Sequence, residues 1–412
     1  MSKLRDIQGE PAVGDDSSQL SILLFSTSRI WGGAEEQTRL LATGLRDRGH
    51  RCGFVARRGS PVARRLREDS FSVLEVSGTG RSPVNLWRVR RHLRQVRPHV
   101  LHYVDPHAVT CGGLASLGLK ADVRVAVRHN PFPLRSPARY RWFCDRVICV
   151  CDAVADVCRK CGLPGEMLRV VRNACLPASA VESDARTLRA RFDLPSDDFV
   201  LLTAAALNEC KGHRYLLKAM PAVLRQIPRA RLVIAGVGPL EEPLRRMSAE
   251  LGIGSRVSFV GFRRDVRDWM RASDLFVLPS QAEGISAVLL EAMMERCPIV
   301  ATEVGGTPEL LCSDGPGIDG AGQAVAWLVP PARDDLLGEA IVHAARDGAE
   351  RLGRARRAEQ RARSEYSLER MVMRTLDVYR ESGIAAASEG TRTSASRRLA
   401  AVPRGMLQGT SR

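Results

Sequence analysis

The residues whose types and spacing could do chemistry lie in one stretch, Ser280 to Glu309, SQAEGISAVLLEAMMERCPIVATEVGGTPE. A strand is expected to end at Pro279. A loop then carries Glu283 and Gly284, and a helix is expected over Ser286–Glu295. The first N–H groups of a helix have no partner within it and lie at the positive end of its dipole, so this helix start is an anion site suited to a diphosphate. Gly284 would let the backbone approach a ligand closely. Glu283 precedes the helix and Glu291 sits in its second turn. The two carboxylates could therefore flank a bound nucleotide-sugar, one facing sugar hydroxyls and the other ribose hydroxyls. Spacing alone does not decide this, because surface helices often carry two Glu eight apart. The surroundings carry the weight.

Those surroundings are expected to be two α/β units. Short apolar strands alternate with amphipathic helices, a pattern that argues for parallel sheets. In the first half, strands fit Leu20–Thr27, Cys52–Ala56, Val73–Val76, Val100–Tyr103, Val123–Val127 and Val147–Val150. The first strand runs into a loop with Gly32 and Gly33, and a helix follows from Ala34 to Arg48. In the second half, strands fit Phe199–Ala205, Arg231–Ala235, Val257–Val260, Leu275–Leu278 and Ile299–Thr302, with helices over Tyr215–Gln226, Leu240–Leu251 and Val266–Arg271 between them. The small, polar stretch Leu176–Ala185 reads as the hinge. The chain of 412 residues is long enough for two domains, each with its own core. Residues 1–18 read as a disordered leader and 19–178 as the first domain. Residues 179–365 read as the second domain, 366–382 as a C-terminal helix able to pack back on the first, and 383–412 as a disordered basic tail.

At this point the sequence resembles the family 4 type of retaining glycosyltransferases, which have the GT-B fold of two Rossmann-like domains facing across a cleft. Their signature is a Glu-x7-Glu motif, matched by Glu283, Gly284 and Ile285, then Glu291 and Ala292. Pro298–Ala301 and Gly305–Glu309 match the strand and glycine turn that follow it. The resemblance implies that Glu283 contacts the transferred sugar and that Glu291 binds the ribose. It also implies that backbone amides near Gly284, Ile285 and Ser286 hold phosphate and sugar; position 286 is commonly Pro in the family. Lys211, in Lys211-Gly212-His213, falls where the family places a cation on the donor pyrophosphate. A lysine there would neutralise leaving-group charge, although an exposed loop lysine is the ordinary reading of such a residue. Gly238, in the turn AGVGPL, either touches ligand or only makes a tight turn. Phe262 and Arg263 match the segment lining the base pocket. In the first domain, Gly32 and Gly33 match the glycine loop facing the cleft, implied to be donor-binding, and the helix start after them would again suit a phosphate of donor or acceptor; Asn173 matches the turn that closes the domain.

Two positions depart from the family. Ala206 stands where an Arg is usual, leaving Lys211 alone unless Arg128 or Arg172 substitutes. His102 matches the first His of a His-x-His strand end, but Val104 occupies the second place. His107 could reach the cleft as a catalytic helper or simply start a helix. No metal is implied, since no Asp-x-Asp motif ends a strand, and no cofactor beyond the nucleotide-sugar co-substrate. The implied acceptor is a lipid-linked or polysaccharide intermediate of a bacterial envelope.

Charge narrows the partners further. The net charge is +16, and residues 19–175 alone hold 27 Lys and Arg against 12 Asp and Glu. Such a field favours anionic partners. Aromatic residues make up only 5%, which argues against a nucleic-acid face of basic and aromatic residues. The stretch Asn85–Arg97 has Leu86, Val89, Leu93 and Val96 on one side and five arginines around the rest. It could lie on an anionic membrane surface, or be the solvated outer side of a sheet-packing helix. No apolar run is long enough to span a bilayer, and the opening residues lack the apolar core of a secretory signal. The expectation is a cytoplasmic, possible peripheral-membrane enzyme with reduced thiols among its 11 cysteines. Cys149, Cys151, Cys158 and Cys161 leave open a metal or redox site as well as small buried thiols. Ala206 and Val104 also leave open a binding or scaffold protein that has kept the fold.

Overall fold

The computed structural model describes residues 19–177, 184–312 and 324–381. The expected leader, the basic tail and most of the expected hinge lie outside the described residues.

The first unit runs β1 (Ser21–Ser26), α1 (Gly33–Arg46), β2 (Arg51–Arg57), α2 (Pro61–Glu68), β3 (Ser72–Val76), α3 (Pro83–Val96), β4 (Val100–Tyr103), α4 (Pro106–Ala115), β5 (Val123–Arg128), α5 (Pro137–Phe143), β6 (Arg146–Cys149), α6 (Asp152–Lys160) and β7 (Leu168–Val170). The second runs α7 (Ala185–Arg191), β8 (Phe199–Ala204), α8 (His213–Gln226), β9 (Ala230–Ala235), α9 (Glu241–Glu250), β10 (Val257–Gly261), α10 (Val266–Ala272), β11 (Leu275–Leu278), α11 (Ala287–Met294), β12 (Ile299–Thr302), α12 (Thr307–Leu311) and β13 (Trp327–Val329). Then come α13 (Asp334–Arg346), α14 (Gly348–Glu365) and α15 (Leu368–Glu381).

Both sheets are wholly parallel. Their orders are β3-β2-β1-β4-β5-β6-β7 and β10-β9-β8-β11-β12-β13. The central strands β1, β4, β11 and β12 are buried on both faces, as helices on either side of a parallel sheet require. Several helices start where the sequence punctuates them. Ser60 and Ser82 cap helices whose first residue is a proline, and Asp105 does the same before Pro106.

Each order reverses beside the first strand of its sheet. That point lies between β1 and β4 in one sheet and between β8 and β11 in the other. Open parallel sheets bind ligands in the crevice at the carboxyl ends of such strands. At the first reversal Asp105 ties the two strand ends together. It accepts from the Thr27 amide at 2.6 Å, from the Thr27 hydroxyl at 2.8 Å, and from the amides of His107 and Ala108.

The last helix crosses back. On α15, Met371, Val372, Leu376 and Tyr379 form a stripe buried in the same core as Leu24, Leu41 and Phe54 of the first unit. The Tyr379 hydroxyl lies 2.7 Å from Nδ1 of His102. His102, one residue before the end of β4, is thus buried in the core under α15. Burial, with His129 nearby, pushes it down to about 3, so it is neutral.

Tyr379→Phe is expected to cost about 1–3 kcal/mol, because it leaves a buried imidazole nitrogen without its partner. Urea unfolding of the two proteins measures this.

Candidate functional site

The loops at the second reversal are stitched to each other. The Gln281 amide donates to the Cys210 carbonyl at 2.7 Å, and the Gln281 side-chain amide donates to the Glu209 carbonyl at 3.0 Å. Lys211 Nζ lies 2.6 Å from Glu283 Oε1. The Ser280 hydroxyl donates to the same oxygen at 2.6 Å. Glu283 is 7% exposed, so this charge leaves water only with a cation and a hydroxyl in contact. The sequence points to Lys211 and Glu283 as separate ligand contacts; the structure makes them one unit.

Two glycines explain why the Glu283 loop is so closely set. A methyl group on Gly305, whose φ is +52°, would lie 1.7 Å from the Glu283 carbonyl oxygen. A methyl on Gly284 would lie 2.1 Å from the carbonyl oxygen of His129, at the end of β5 in the other unit. The backbones of the two domains therefore touch at the site.

Further contacts surround this one. Asn173 donates to the Ile285 carbonyl at 2.9 Å, and Gln37 of α1 holds the next residue through the amide and carbonyl of Ala174, both at 2.8 Å. Glu309 accepts from the amides of Asp152 and Ala153 at 2.9 and 2.8 Å, so a carboxylate of the second domain caps α6 of the first.

Two helix starts meet across the cleft. A methyl on Gly33, at the start of α1, would lie 3.6 Å from Cβ of Ala287, at the start of α11. They differ in charge. The start of α1 carries Glu35 and Glu36, and Glu35 accepts from the Gly32 amide at 3.1 Å. The start of α11 has no acidic residue in its first turn, and Ser286 makes no capping bond there. An anion is therefore favoured at Ser286 and Ala287 over Gly32 and Gly33.

Glu291 follows on α11. Burial pushes its carboxyl up to about 7; Arg267 opposes the rise, while Glu36 and Glu295 add to it. Arg267 is also engaged with Glu295 at 2.5 Å.

Other expected residues lie differently. Arg263 is held by both oxygens of Asp265 at 2.9 and 2.7 Å, and its guanidinium stands 5.3 Å from the ring centre of Trp269. It braces α10. Phe262 beside it is 60% exposed and offers an open ring face. A methyl on Gly238 would lie 2.4 Å from the Leu207 carbonyl oxygen, so this glycine is required by close backbone packing. His107 is exposed near the first reversal; burial lowers its pKa, Asp105 raises it, and Arg81 and Arg139 lower it further. Arg128 donates to the Phe132 carbonyl at 2.8 Å and is thereby used within its own domain. Arg172 lies beside Asn173, 3.9 Å from Asp152.

His129 was not singled out by the sequence reading. Both its ring nitrogens are buried without a hydrogen-bond partner, and its carbonyl meets Gly284. Burial first, then Arg128, lowers its pKa to about 4. The available signal was a histidine directly after a buried strand, in Val125–His129. His213, next to Lys211 and Gly212, is likewise buried with both nitrogens unpartnered.

In the cysteine cluster, Cys149 and Cys158 approach to 3.9 Å. Cys161 Sγ accepts from the Leu134 amide at 3.3 Å. Among the described residues, no three His, Cys, Asp or Glu side chains are grouped to hold a metal ion.

Two family models match the chain. The one described as Glycosyltransferase Family 4 matches residues 31–175, and the one described as Glycosyl transferases group 1 matches residues 198–347. The lipopolysaccharide core biosynthesis glycosyltransferase LpsE of Rhizobium meliloti is 28% identical over 290 residues, 69% of this chain and 79% of its own length. The alpha-D-kanosaminyltransferase of Streptomyces kanamyceticus is 30% identical over 55% of this chain and 57% of its own. Across it and six other curated relatives, the chain spans 28% to 57% of the relative's length. Among solved structures, Anabaena Alr3699/HepE in complex with UDP and glucose is similar in fold. Its TM-score is 0.75 at 21% identity, covering 87% of this chain and 99% of that one.

The raised Glu291 carboxyl has a consequence for stability. It holds its proton more tightly folded than unfolded, so its charge costs stability increasingly as pH rises from about 4.5 to about 7. Glu291→Gln is expected to raise the melting temperature of the ligand-free protein at pH 8, with the gain shrinking toward pH 5. Thermal melts across that range measure it.

Proposed function

We propose that this chain, which belongs to the family 4 (group 1) glycosyltransferases and has their GT-B fold, moves a sugar from a nucleoside diphosphate donor to an acceptor hydroxyl with retention at the anomeric carbon. The observation that carries the reading is the Lys211–Glu283 pair, set 2.6 Å apart at the strand reversal and beside the uncapped start of α11.

The roles follow from the chemistry of each group. The diphosphate takes the amides at Gly284, Ile285 and Ser286, with Lys211 alongside. Glu283 accepts from a hydroxyl of the transferred sugar. Glu291, as the carboxylate, accepts from the ribose hydroxyls, and Phe262 stacks on the base. Contact with sugar hydroxyls also falls to His129, whose neutral ring has a free donor and a free acceptor. Gly32 and Gly33 form the opposite wall, and His107 stands at the acceptor side. In the transfer, the bond from the anomeric carbon to the diphosphate oxygen breaks, and a bond to the acceptor oxygen forms on the same face. The acceptor proton passes to the departing phosphate. Lys211 stabilises the charge that develops on that leaving group. No protein nucleophile is needed.

The finer assignment is a UDP-sugar donor and a lipid-linked or polysaccharide acceptor of a bacterial envelope. The ligands named for HepE and the pathway named for LpsE support it. Ala206, in place of the family's second phosphate cation, motivates one other reading, a protein that binds the donor but turns it over slowly or not at all.

Binding of UDP-, GDP- and ADP-sugars to the purified protein tests the site. Glu291→Ala is expected to weaken the preferred donor about 10- to 100-fold, the value of hydrogen bonds to a charged group. Equal binding by both proteins sinks the assignment. Lys211→Ala is expected to lower kcat about 10²- to 10³-fold in a transfer assay with envelope lipid extract as acceptor. Donor binding by the wild type without turnover on any acceptor favours the second reading.

A further inference from the structure

Helix α3 carries a face that the donor chemistry does not use. Its inner side is ordinary: Val89 and Leu93 are buried in the core, and Asn85 is buried and donates to the Ser77 carbonyl at 2.9 Å. Its outer side is not what a solvated helix needs. Val84 is 68% exposed and Trp87 61%, and both share a face with Arg88, Arg91 and Arg94 at spacings of three and four. Of the eleven large hydrophobic side chains exposed among the described residues, Val84, Trp87 and Val96 lie on this one helix. A fourth, Leu117, adjoins it, because Arg90 donates to the Leu117 carbonyl at 2.6 Å.

The charge on this face is uncompensated. No acidic residue occurs between Glu75 and Asp105. Among the described residues, no carboxylate lies within ion-pair distance of Arg88, Arg91, Arg94 or Arg97. The recorded contact of Arg91 is with the Trp87 ring, 5.7 Å from its centre. Of the five arginines on and just after α3, only Arg90 has a hydrogen bond to a carbonyl among the described residues.

We propose that the outer face of α3 docks on an anionic phospholipid bilayer. Val84, Trp87 and Leu117 enter the headgroup boundary, and Arg88, Arg91 and Arg94 bind lipid phosphates. Tryptophan is suited to that boundary because its ring is apolar and its N–H polar. Arginine's planar fork matches phosphate oxygens. The charge selects the lipid surface over an apolar protein partner, and a single ring, Trp87, in place of a row of rings on which successive bases could stack selects it over nucleic acid. Orientation gives the face a purpose. In a parallel sheet the helix after each strand begins at the same edge, so the start of α3 lies along the edge where α1 and α4 begin. Arg81, just before α3, is near enough to His107 to lower its pKa. A bilayer on this face lies beside the acceptor side of the cleft. The inference does not depend on which sugar or nucleotide is used.

The test is co-sedimentation of the full chain with vesicles of phosphatidylcholine alone and of phosphatidylcholine mixed with phosphatidylglycerol. Binding is expected only with phosphatidylglycerol, and it should weaken as salt is raised. The triple variant Arg88→Gln/Arg91→Gln/Arg94→Gln is expected to bind about a hundredfold less tightly, from the usual worth of a basic residue at a charged membrane surface. Trp87→Ser is expected to reduce binding as well, while both variants keep the wild-type circular dichroism and nucleotide affinity. Quenching of tryptophan emission by brominated lipid should drop in Trp87→Phe. Wild-type vesicle binding by the triple variant overturns the proposal, since the C-terminal arginines, which are intact in it, would then account for attachment. Absence of binding to any vesicle, or retention on DNA alone, overturns it too.

Discussion

The contact on which the rest depends is one of backbone against backbone. At Gly284 the loop of the second domain meets the His129 carbonyl of the first with no room for a methyl group, and at Gly305 the following turn meets the same loop from behind. Side chains can shift to relieve a close approach; carbonyls held in a strand end and a tight turn cannot. The loop that carries Glu283 is thus fixed from both sides, and its place relative to the first domain is set by the sheets. Asn173 and Glu309 hold the same boundary through hydrogen bonds to backbone at 2.8–2.9 Å. The site owes its geometry to these contacts, because the second half of it, the Gly33 side, belongs to a different sheet.

Three glutamates near the boundary meet the cost of burial in three ways, and the differences assign their uses. Glu283 has a lysine and a hydroxyl in contact. Glu309 is met by two amides at the start of α6; burial still raises its pKa, because it is the larger effect there. Glu291 is left to desolvation and to other carboxylates, with Arg267 in opposition, and rises to about 7. Glu309 is used up by the scaffold. Glu283 is paired with a neighbour that a diphosphate would also attract. Glu291 has acceptor capacity that ligand hydroxyls would meet, so donor binding and ionisation of Glu291 favour each other.

Much of this could be read from the sequence, and the failures have physical causes. Buried parallel strands are apolar runs, so the long ones stood out with their edges within a residue or two. The three-residue edge strands β7 and β13 did not, because so short a run has no period to detect. The Glu283–Glu291 spacing, the Gly284 loop and the lysine were legible as types at fixed distances. Their pairing was not, since Lys211 and Glu283 are 72 residues apart and meet only through the strand reversal. Arg263 was legible as a cation but not as one held by Asp265 and packed on Trp269. Among the histidines, a strand-end pattern drew attention to His102, which the returning helix α15 covers. His129 had no pattern of its own; its importance comes from what touches it across the domain boundary.

The two halves of the molecule repeat one plan, yet their two facing helix starts are not equally suited to an anion. Both α1 and α11 follow glycine-bearing loops at a cleft edge, and both point amides toward it. The plan is broken by charge. At α1, Glu35 bonds back to the Gly32 amide, and Glu36 adds a second carboxylate in the first turn. Those groups offset the field that an anion would seek and satisfy one of its donors. At α11 nothing plays that part: the first turn is Ala287, Val288 and Leu289, and a lysine stands across from it at Glu283. Glu36 is itself paired with Arg39 at 2.7 Å, so the carboxylates at the start of α1 are held within the first domain. Two similar helix starts, one neutral and one acidic, thereby face each other across a single crevice.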